Sequence, residues 1–353
     1  MSKRSEIAVD KLDSNDPKIF YTFEKKHSAQ NRYNRFSADR GLLPQRELYN
    51  VAMPDYVTLN YECTIWTAYI EQMNKIIEKI IAREVLEDNV AVLLSGGVDS
   101  LSVACASHRL GKKVTAYTFH IEDHISYDSQ KAEEAAKEFG WKFNLSIIPK
   151  KDLIDNFKTL AFKYKCQKKT QFENTYAYMH IFPKIKEKYI LMGMGVDIWY
   201  GSSKKVAIHY KEPKEKFDEY RKSYFNQKVP SDLMTLFKLE KEFNKKLILP
   251  YTWQKEVEDF FYPLDWRTLN RGKNKKIIRE AFKEEFERIA PIQKHTNMQL
   301  GAKVDVLFET LINNNEINFK DRTRVMDICR DWAKKVYYIE ILNDRRKDVK
   351  RNS

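Results

Sequence analysis

Ser95-Gly96-Gly97-Val98-Asp99-Ser100 follows the apolar run Val90-Ala91-Val92-Leu93-Leu94 and precedes a helix-like stretch from Leu101 to Leu110. A strand, a glycine turn and a helix start, in that order, make a geometry that holds phosphate. Gly96 and Gly97 let the backbone come close to an anion, because no Cβ stands in the way. Val98, Asp99 and Ser100 open the helix, where N–H groups without intrahelical acceptors point at phosphate oxygens. Ser95 and Ser100 add hydroxyl donors, and Asp99 is placed to hold Mg2+ against a pyrophosphate. The kinase-type loop G-x-x-x-x-G-K-S/T is absent from the chain, so the phosphate reading does not depend on a loop lysine.

Outward from this turn, strands and helices alternate between residues 90 and 200. Val90–Leu94 reads as a strand, Val98–Leu110 as a helix ended by Gly111, and Val114–Phe119 as a strand. A helix over Lys131–Phe139 is closed by Gly140. Phe143–Ile148 is a strand, Thr175–Ile185 a helix and Tyr189–Met192 a strand. This alternation predicts an α/β fold, a five-stranded type of parallel sheet with helices on both faces and a helical C-terminal part. Such sheets bind ligands at the C-terminal edge of their strands. The turn at Ser95–Ser100, the strand end at Phe119 and the turn at Gly193 are therefore expected in one cleft. Before the sheet, Thr64–Leu86 reads as one amphipathic helix, with Ile65, Tyr69, Met73, Ile76 and Ile80 at spacings of three and four.

The ends read differently. Residues 1–60 form an N-terminal appendage, 61–300 the main domain and 301–353 a C-terminal helical extension whose last residues, from Asn343, are charged and frayed. Ile19–Phe23 and Tyr56–Tyr61 are predicted short strands. Between them, Arg32-Tyr33-Asn34-Arg35-Phe36 and Arg40-Gly41 interleave basic and aromatic residues, a pattern that stacks on bases or clamps phosphates. Packing of such a loop on the main domain is the plainer reading.

Of the 353 residues, 63 are Lys or Arg and 50 Asp or Glu, a net charge of +13. That balance favours polyanionic partners, nucleic acid among them. Acids and bases are interspersed, so solubility plus an anion site accounts for it as well. No apolar run is long enough to span a membrane, and Met1–Glu6 lacks the apolar stretch of a signal peptide. Cys63, Cys105, Cys166 and Cys329 are scattered, which suits a reducing cytoplasm and supports neither a disulfide framework nor a zinc ribbon. No C-x-x-C pair is present, which counts against sulfur transfer. His120 and His124 flank Glu122-Asp123; a structural or substrate-contact role outweighs metal ligation there.

Two further segments carry chemistry. Gly193-Met194-Gly195-Val196-Asp197-Ile198-Trp199-Tyr200-Gly201 follows the strand at Tyr189. Gly193 and Gly195 permit a tight turn beside a ligand, and Asp197 is placed to share Mg2+ with Asp99. A dinucleotide motif is rejected because Ile198 stands where a third glycine belongs. Trp199, Tyr200 and Trp253 are core residues by default and pocket-lining ones otherwise. Farther on, Arg271-Gly272-Lys273-Asn274-Lys275-Lys276 leads into Ile277-Ile278-Arg279-Glu280-Ala281-Phe282. Lysines and Arg279 on such a turn can neutralise charge as pyrophosphate leaves, although the segment alone reads as a solvated basic helix.

Together these segments resemble the synthetase domain of the asparagine synthetase family, within the PP-loop ATP pyrophosphatases. Ser95–Ser100 match its pyrophosphate loop. Asp128–Gly140 look like its Asp…Ala…Ala…Leu-Gly helix, and Gly193–Gly201 like its S-G-x-G-x-D-E-x-x-G-G turn. Leu249-Pro250-Tyr251 are similar to its V-P-F element, and Lys275–Phe282 to its K-x-x-L-R-E-A-F helix. The resemblance covers roughly residues 64–290 and implies an enzyme that uses ATP and Mg2+. It activates a small-molecule carboxylate as an acyl-adenylate, releases PPi and lets ammonia or an amine attack. By that match Lys275 lies near the α-phosphate, with Lys276 the fallback for a register slip of one. The nucleotide contacts fall to Ser95, Gly96, Gly97, Val98, Asp99, Ser100, Phe119, Gly193 and Gly195, and the metal to Asp99 and Asp197.

The departures are specific. Residue 2 is Ser where the family's glutaminase half begins with a nucleophilic Cys, and the stretch before Ser95 is too short for that domain. Ammonia would then come free or from a separate subunit, or an amine would replace it. Met194 and Ile198 stand where the family carries acids that handle the amine or substrate, which points away from asparagine itself. Two alternatives stay open: a PP-loop enzyme that modifies a nucleobase in tRNA or DNA, and a degenerate nucleotide-binding protein without turnover.

Overall fold

The computed structural model describes residues 55–166, 169–226, 233–270, 274–289 and 301–313. In chain order these form α1 (Asp55–Glu84), β1 (Asn89–Leu93), α2 (Val98–Arg109), β2 (Lys113–Ile121), α3 (Tyr127–Glu138) and β3 (Lys142–Ile148). Then come α4 (Leu153–Phe162), α5 (Lys169–Ile181), β4 (Tyr189–Leu191), α6 (Val196–Tyr200), α7 (Lys204–His209), α8 (Lys214–Phe225) and α9 (Met234–Glu242). β5 (Lys246–Ile248), α10 (Lys255–Phe261), α11 (Trp266–Leu269), α12 (Lys276–Ala281), α13 (Lys283–Arg288) and α14 (Val304–Asn313) complete the order. The chain divides into two compact units; it leaves the sheet-bearing one at Met192–Gly193 and again at Ile248–Leu249, and returns between Asn226 and Leu233 and at Glu287–Arg288.

The sheet-bearing unit holds the described residues from Val85 to Met192, from Leu233 to Ile248, Arg288, Ile289 and residues 301–313 with the helix α14. Its five strands are all parallel, in the order β3-β2-β1-β4-β5. Leu93 pairs with Tyr117 on one side of β1, and Val92 with Leu191 on the other. β1, β2 and β4 are buried along almost their whole length, as strands covered on both faces must be. The order runs outward from β1 in one direction through β2 and β3, then reverses to β4 and β5. Right-handed crossovers therefore put α2 and α3 on one face and α5 and α9 on the other. The reversal places the topological switch point between β1 and β4, which is where this class of sheet binds ligands.

Small residues let α3 lie close to the sheet: Ala132, Ala135 and Ala136 are buried, and the helix packs on β2 and β3. On the other face Phe157, Phe172 and Phe308 make an aromatic cluster, with Phe157 and Phe172 stacked at 4.4 Å. Thr175 and Thr235 exchange a buried hydrogen bond of 2.7 Å between α5 and α9. Cys166 beside them is a buried thiol pushed up to about 12 by burial, the state expected of a small core residue.

The other unit holds α1, the described residues from Gly193 to Asn226 and those from Leu249 to Glu287. α1 buries Tyr69, Met73, Ile76, Ile77, Ile80 and Ile81, the face the sequence period marks, and packs on α12 and α10. Tyr69 meets Phe260 edge to face at 5.9 Å. A second centre forms on Trp199, fully buried and stacked between Phe225 at 4.2 Å and Phe261 at 5.3 Å. Its indole N–H donates to Tyr251 O at 2.7 Å.

Several elements differ from the sequence reading. Tyr56–Tyr61 is not a strand; it belongs to α1, which begins at Asp55. A helix already nucleated downstream extends at one hydrogen bond per residue, and that outweighs a short alternating pattern. α3 starts at Tyr127, four residues before the predicted Lys131, because Ser126 caps it by accepting from Ser129 N at 3.1 Å. α5 begins at Lys169 and ends at Ile181, where Pro183 turns the chain into a single 3-10 turn over Phe182–Lys184. α4 had no sequence assignment. Ile19–Phe23, Arg32–Phe36, Arg40-Gly41 and the end from Asn343 lie outside the described residues.

Candidate functional site

The turn at Ser95 leaves the C-terminal end of β1 at the switch point, as its sequence requires. Gly96 adopts φ +69°, a left-handed conformation that favours glycine. A Cβ there would also stand 2.3 Å from the Cβ of Lys131, so the loop backbone lies directly on α3. Gly97 is the N-cap of α2, extended and without any capping side chain. Helix geometry leaves the first N–H groups, those of Val98 onward, to seek acceptors outside the helix, and the macrodipole adds partial positive charge there. Val98 and Ser100 are buried, and Asp99 in the first turn is half-buried.

The two serines hold the loop in shape. Ser95 N donates to Ser100 Oγ at 3.1 Å, and Ser100 Oγ donates onward to Gly97 O at 3.2 Å. With its proton on Gly97, Ser100 Oγ accepts the Ser95 hydroxyl at 3.1 Å. In this arrangement both hydroxyls are spent within the turn, and Ser95 Oγ also accepts weakly from Gly97 N at 3.4 Å. The groups this leaves for an anion are the backbone and the α2 terminus, with Ser95 Oγ one bond rotation away.

Phe119 lies two residues beyond Tyr117 on β2 and is buried. Next to it His120 is buried, with Nδ1 2.9 Å from Ile121 O, and His124 Nε2 lies 3.1 Å from Gly301 O. Both imidazoles thus serve backbone carbonyls. Among the described residues no group of three or more His, Cys, Asp or Glu forms a metal cluster. Asp99, half-buried in the first turn of α2, is the carboxylate beside the Ser95–Ser100 turn that would hold a Mg2+ ion there.

The second motif segment lies in the other unit, and so does the third. Gly195 has φ +102°, and a Cβ on it would come within 2.4 Å of Thr252 Oγ1. Thr252 Oγ1 donates to Met194 O at 2.9 Å, which pins the turn onto the residues after Leu249-Pro250-Tyr251. Gly201, at φ +58°, ends α6 where a Cβ would strike Phe217, Val206 and Trp266. Gly193 and Met194 are half-buried. Asp197 in the first turn of α6 points outward, and Lys275 Nζ meets its Oδ1 at 2.8 Å. The sequence named these two residues separately, and the fold brings them together.

Lys275 is itself left-handed, at φ +59°, as the N-cap of α12. Arg279 Nε donates to Asn274 O at 3.1 Å and its N–H to Lys275 O at 3.0 Å, so it braces the turn that presents the lysine. Ser202 Oγ bonds Asn274 Oδ1 at 3.3 Å. Tyr220 also faces this corner: burial chiefly, and the Asp197 charge after it, raise its phenol pKa, while a bond to Ser203 lowers it. Nothing in the motif spacing flagged Tyr220 or Lys131; both become visible only when α8 and α3 are placed. Trp199 and Tyr200 are fully buried core, whereas Trp253 is partly exposed with its indole N–H on Phe225 O.

No helix among the described residues is long and apolar enough to cross a membrane. No curated protein matches the chain. Among solved structures it is similar to the U34-tRNA thiolase NcsA from Methanococcus maripaludis, at 15% identity and TM-score 0.31, over 77% of this chain and 80% of that one. It is also similar to a predicted subunit of tRNA methyltransferase from Methanocaldococcus jannaschii, at 17% identity and TM-score 0.28, over 59% of this chain and 100% of that one. At these scores neither likeness carries weight for activity. The family profile described as asparagine synthase matches residues 73–255, more than half of the chain and all of the sheet. With the parallel sheet, the switch-point glycine turn and that match, the chain belongs to the asparagine synthase family of ATP-using PP-loop enzymes.

Proposed function

We propose that this protein is an ATP-dependent, AMP-forming carbon–nitrogen ligase. A carboxylate (or carbonyl) oxygen of a small substrate attacks the α-phosphorus, and the bond to the bridging oxygen breaks as PPi leaves. Ammonia or an amine then attacks the acyl carbon of the adenylate, loses a proton, and expels AMP. The observation that carries this reading is the turn Ser95–Ser100: left-handed Gly96, uncapped α2 and the switch point together favour the pyrophosphate end of a nucleotide. Mg2+ would offset the charge of the triphosphate, with Asp99 as its protein ligand in this unit. The roles of Asp197, Lys275 and Arg279 rest on the family motif, with Lys275 serving the α-phosphate. A cytoplasmic setting and a separate ammonia-supplying subunit complete the proposal.

The net charge of +13 supports a second reading, modification of a nucleobase in tRNA or DNA with the same ATP chemistry. One assay separates the readings: AMP and PPi release from MgATP with panels of carboxylates plus ammonia or amines, and separately with RNA and DNA. Release that needs a carboxylate supports the ligase. Release that needs nucleic acid transfers the activity to the second reading. Nucleotide binding with no release under any condition rejects both and leaves a degenerate binding protein.

A further inference from the structure

Lys131 is 7% exposed, a degree of burial that is rare for a lysine. It lies in α3 where Gly96 packs: a Cβ on Gly96 would be 2.3 Å from Lys131 Cβ and 3.3 Å from Ala132 N. The stem of the lysine therefore begins on the back of the phosphate loop. Helical side chains lean toward the helix N-terminus. Lys131 follows that rule, with Nζ 5.6 Å over the ring of Tyr127, the first residue of α3. In a parallel sheet the helix that follows β2 starts at the same edge as the turn that follows β1. The ammonium lies between Tyr127, at that edge, and Glu134 one turn farther along the helix.

Its carboxylate partner is Glu134, 2.6 Å away and 47% exposed at the side chain. A half-exposed glutamate one turn along is a weak anchor for a buried ammonium, because water competes for it. The loop meanwhile has no lysine of its own, unlike the kinase-type phosphate loop.

We propose that Lys131 is a phosphate-binding residue of the nucleotide site, held by Glu134 until a triphosphate displaces the carboxylate. This rests on the ATP reading of the loop. Phosphate oxygens offer the ammonium more charge than one carboxylate, and the exchange needs only rotation of the lysine end while its stem stays packed under Gly96. Glu134 then returns to water, where its exposure leaves it well solvated.

The test is equilibrium binding of MgATP, Mg-pyrophosphate and AMP to the full chain and to K131M, K131R and E134Q. Methionine keeps the stem and removes the charge, so MgATP and pyrophosphate are expected to bind about tenfold or more weakly while AMP is unchanged. K131R is expected to restore part of the loss. E134Q, which releases the lysine and removes a like charge from the site, is expected to bind MgATP a few-fold more tightly. A lysine that only packs α3 would shift thermal stability and leave the ratio of AMP to MgATP affinity alone. An unchanged ratio in K131M, with wild-type MgATP binding intact, overturns the proposal. Should K131M not fold, E134Q decides: tighter MgATP binding supports the exchange, and equal or weaker binding overturns it. A wild-type chain that binds neither MgATP nor pyrophosphate overturns the nucleotide reading itself, and this assignment with it.

Discussion

Lys275 Nζ lies 2.8 Å from Asp197 Oδ1, and the two residues differ sharply in exposure: 13% for the lysine side chain and 66% for the aspartate. An ion pair with one partner so exposed contributes about 0–1 kcal/mol to stability. The backbone of Lys275 works against stability, since φ +59° costs a non-glycine residue about 1–2 kcal/mol. A strained residue in a weak pair is poorly explained by folding and well explained by function. K275G is therefore expected to keep or raise the melting temperature, because glycine relieves the strain, while PPi formation falls by about a hundredfold or more with the ammonium gone. Parallel thermal melts and PPi assays check this, and retained turnover in K275G removes the lysine from the reaction.

Gly96 and Gly140 offer a controlled comparison. Both are left-handed, at φ +69° and +66°. A Cβ on Gly140 would meet nothing within 4 Å, whereas on Gly96 it strikes α3 at Lys131. G140A is expected to lose only the conformational term, about 1 kcal/mol in chemical denaturation, with nucleotide binding intact. G96A carries that term and the clash, and since the loop must move to relieve it, MgATP affinity should fall below detection. Equal behaviour of the two variants would show that the close approach of loop and helix is dispensable.

The same contrast explains what was legible in the sequence. Ser95–Ser100 announced itself because a strand, two glycines and a helix start are local features, and the alternation of residues 90–200 fixed the parallel class. Boundaries that depend on a single cap, such as Ser126 before α3, leave no mark in the hydrophobic period. Tyr56–Tyr61 shows a local alternating pattern losing to a helix nucleated elsewhere. The pairing of Asp197 with Lys275, the packing of Lys131 under Gly96 and the approach of Tyr220 to Asp197 join residues far apart in sequence. No period or motif encodes such distances, so only the packed structure reveals them.

Arg221 is fully buried and holds three carbonyls and a carboxylate: Phe261 O at 2.8 Å, Leu264 O at 3.3 Å, Tyr262 O at 3.5 Å and Asp218. Its guanidinium also lies 4.2 Å from the Phe217 ring centroid. Removing the cation leaves the carbonyls at the end of α10 without their donor, while Asp218 keeps Lys214 Nζ at 2.6 Å. R221M is expected to destabilise by about 2–4 kcal/mol, chiefly from the buried carbonyls left without a donor. R221K restores charge but not the fork, and should recover less than half of the loss. Denaturant midpoints read both, and a near-neutral R221M would mean the site collapses onto an apolar side chain without strain.

His180 on α5 gives the pH dependence a defined sign. Burial, and then the nearby Lys184 charge, lower its pKa from the usual value. Its Nε2 is buried without a hydrogen-bond partner among the described residues, and Tyr176 packs edge-on at 5.2 Å. The folded state thus holds the imidazole neutral where the unfolded chain, with a pKa of about 6.5, already takes a proton. Where the unfolded state binds more protons, stability rises with pH. The His180 contribution is therefore intact above pH ~6.5 and is lost as pH falls through that value toward the lower folded pKa. Carboxylates with lowered folded pKa, such as Glu187, add a loss of the same sign at lower pH. Melting temperature should decline from pH 7 to pH 5.5 in the native chain and decline less in H180Q, which cannot take up the proton. Identical slopes for the two proteins would show that His180 titrates alike in the folded and unfolded states.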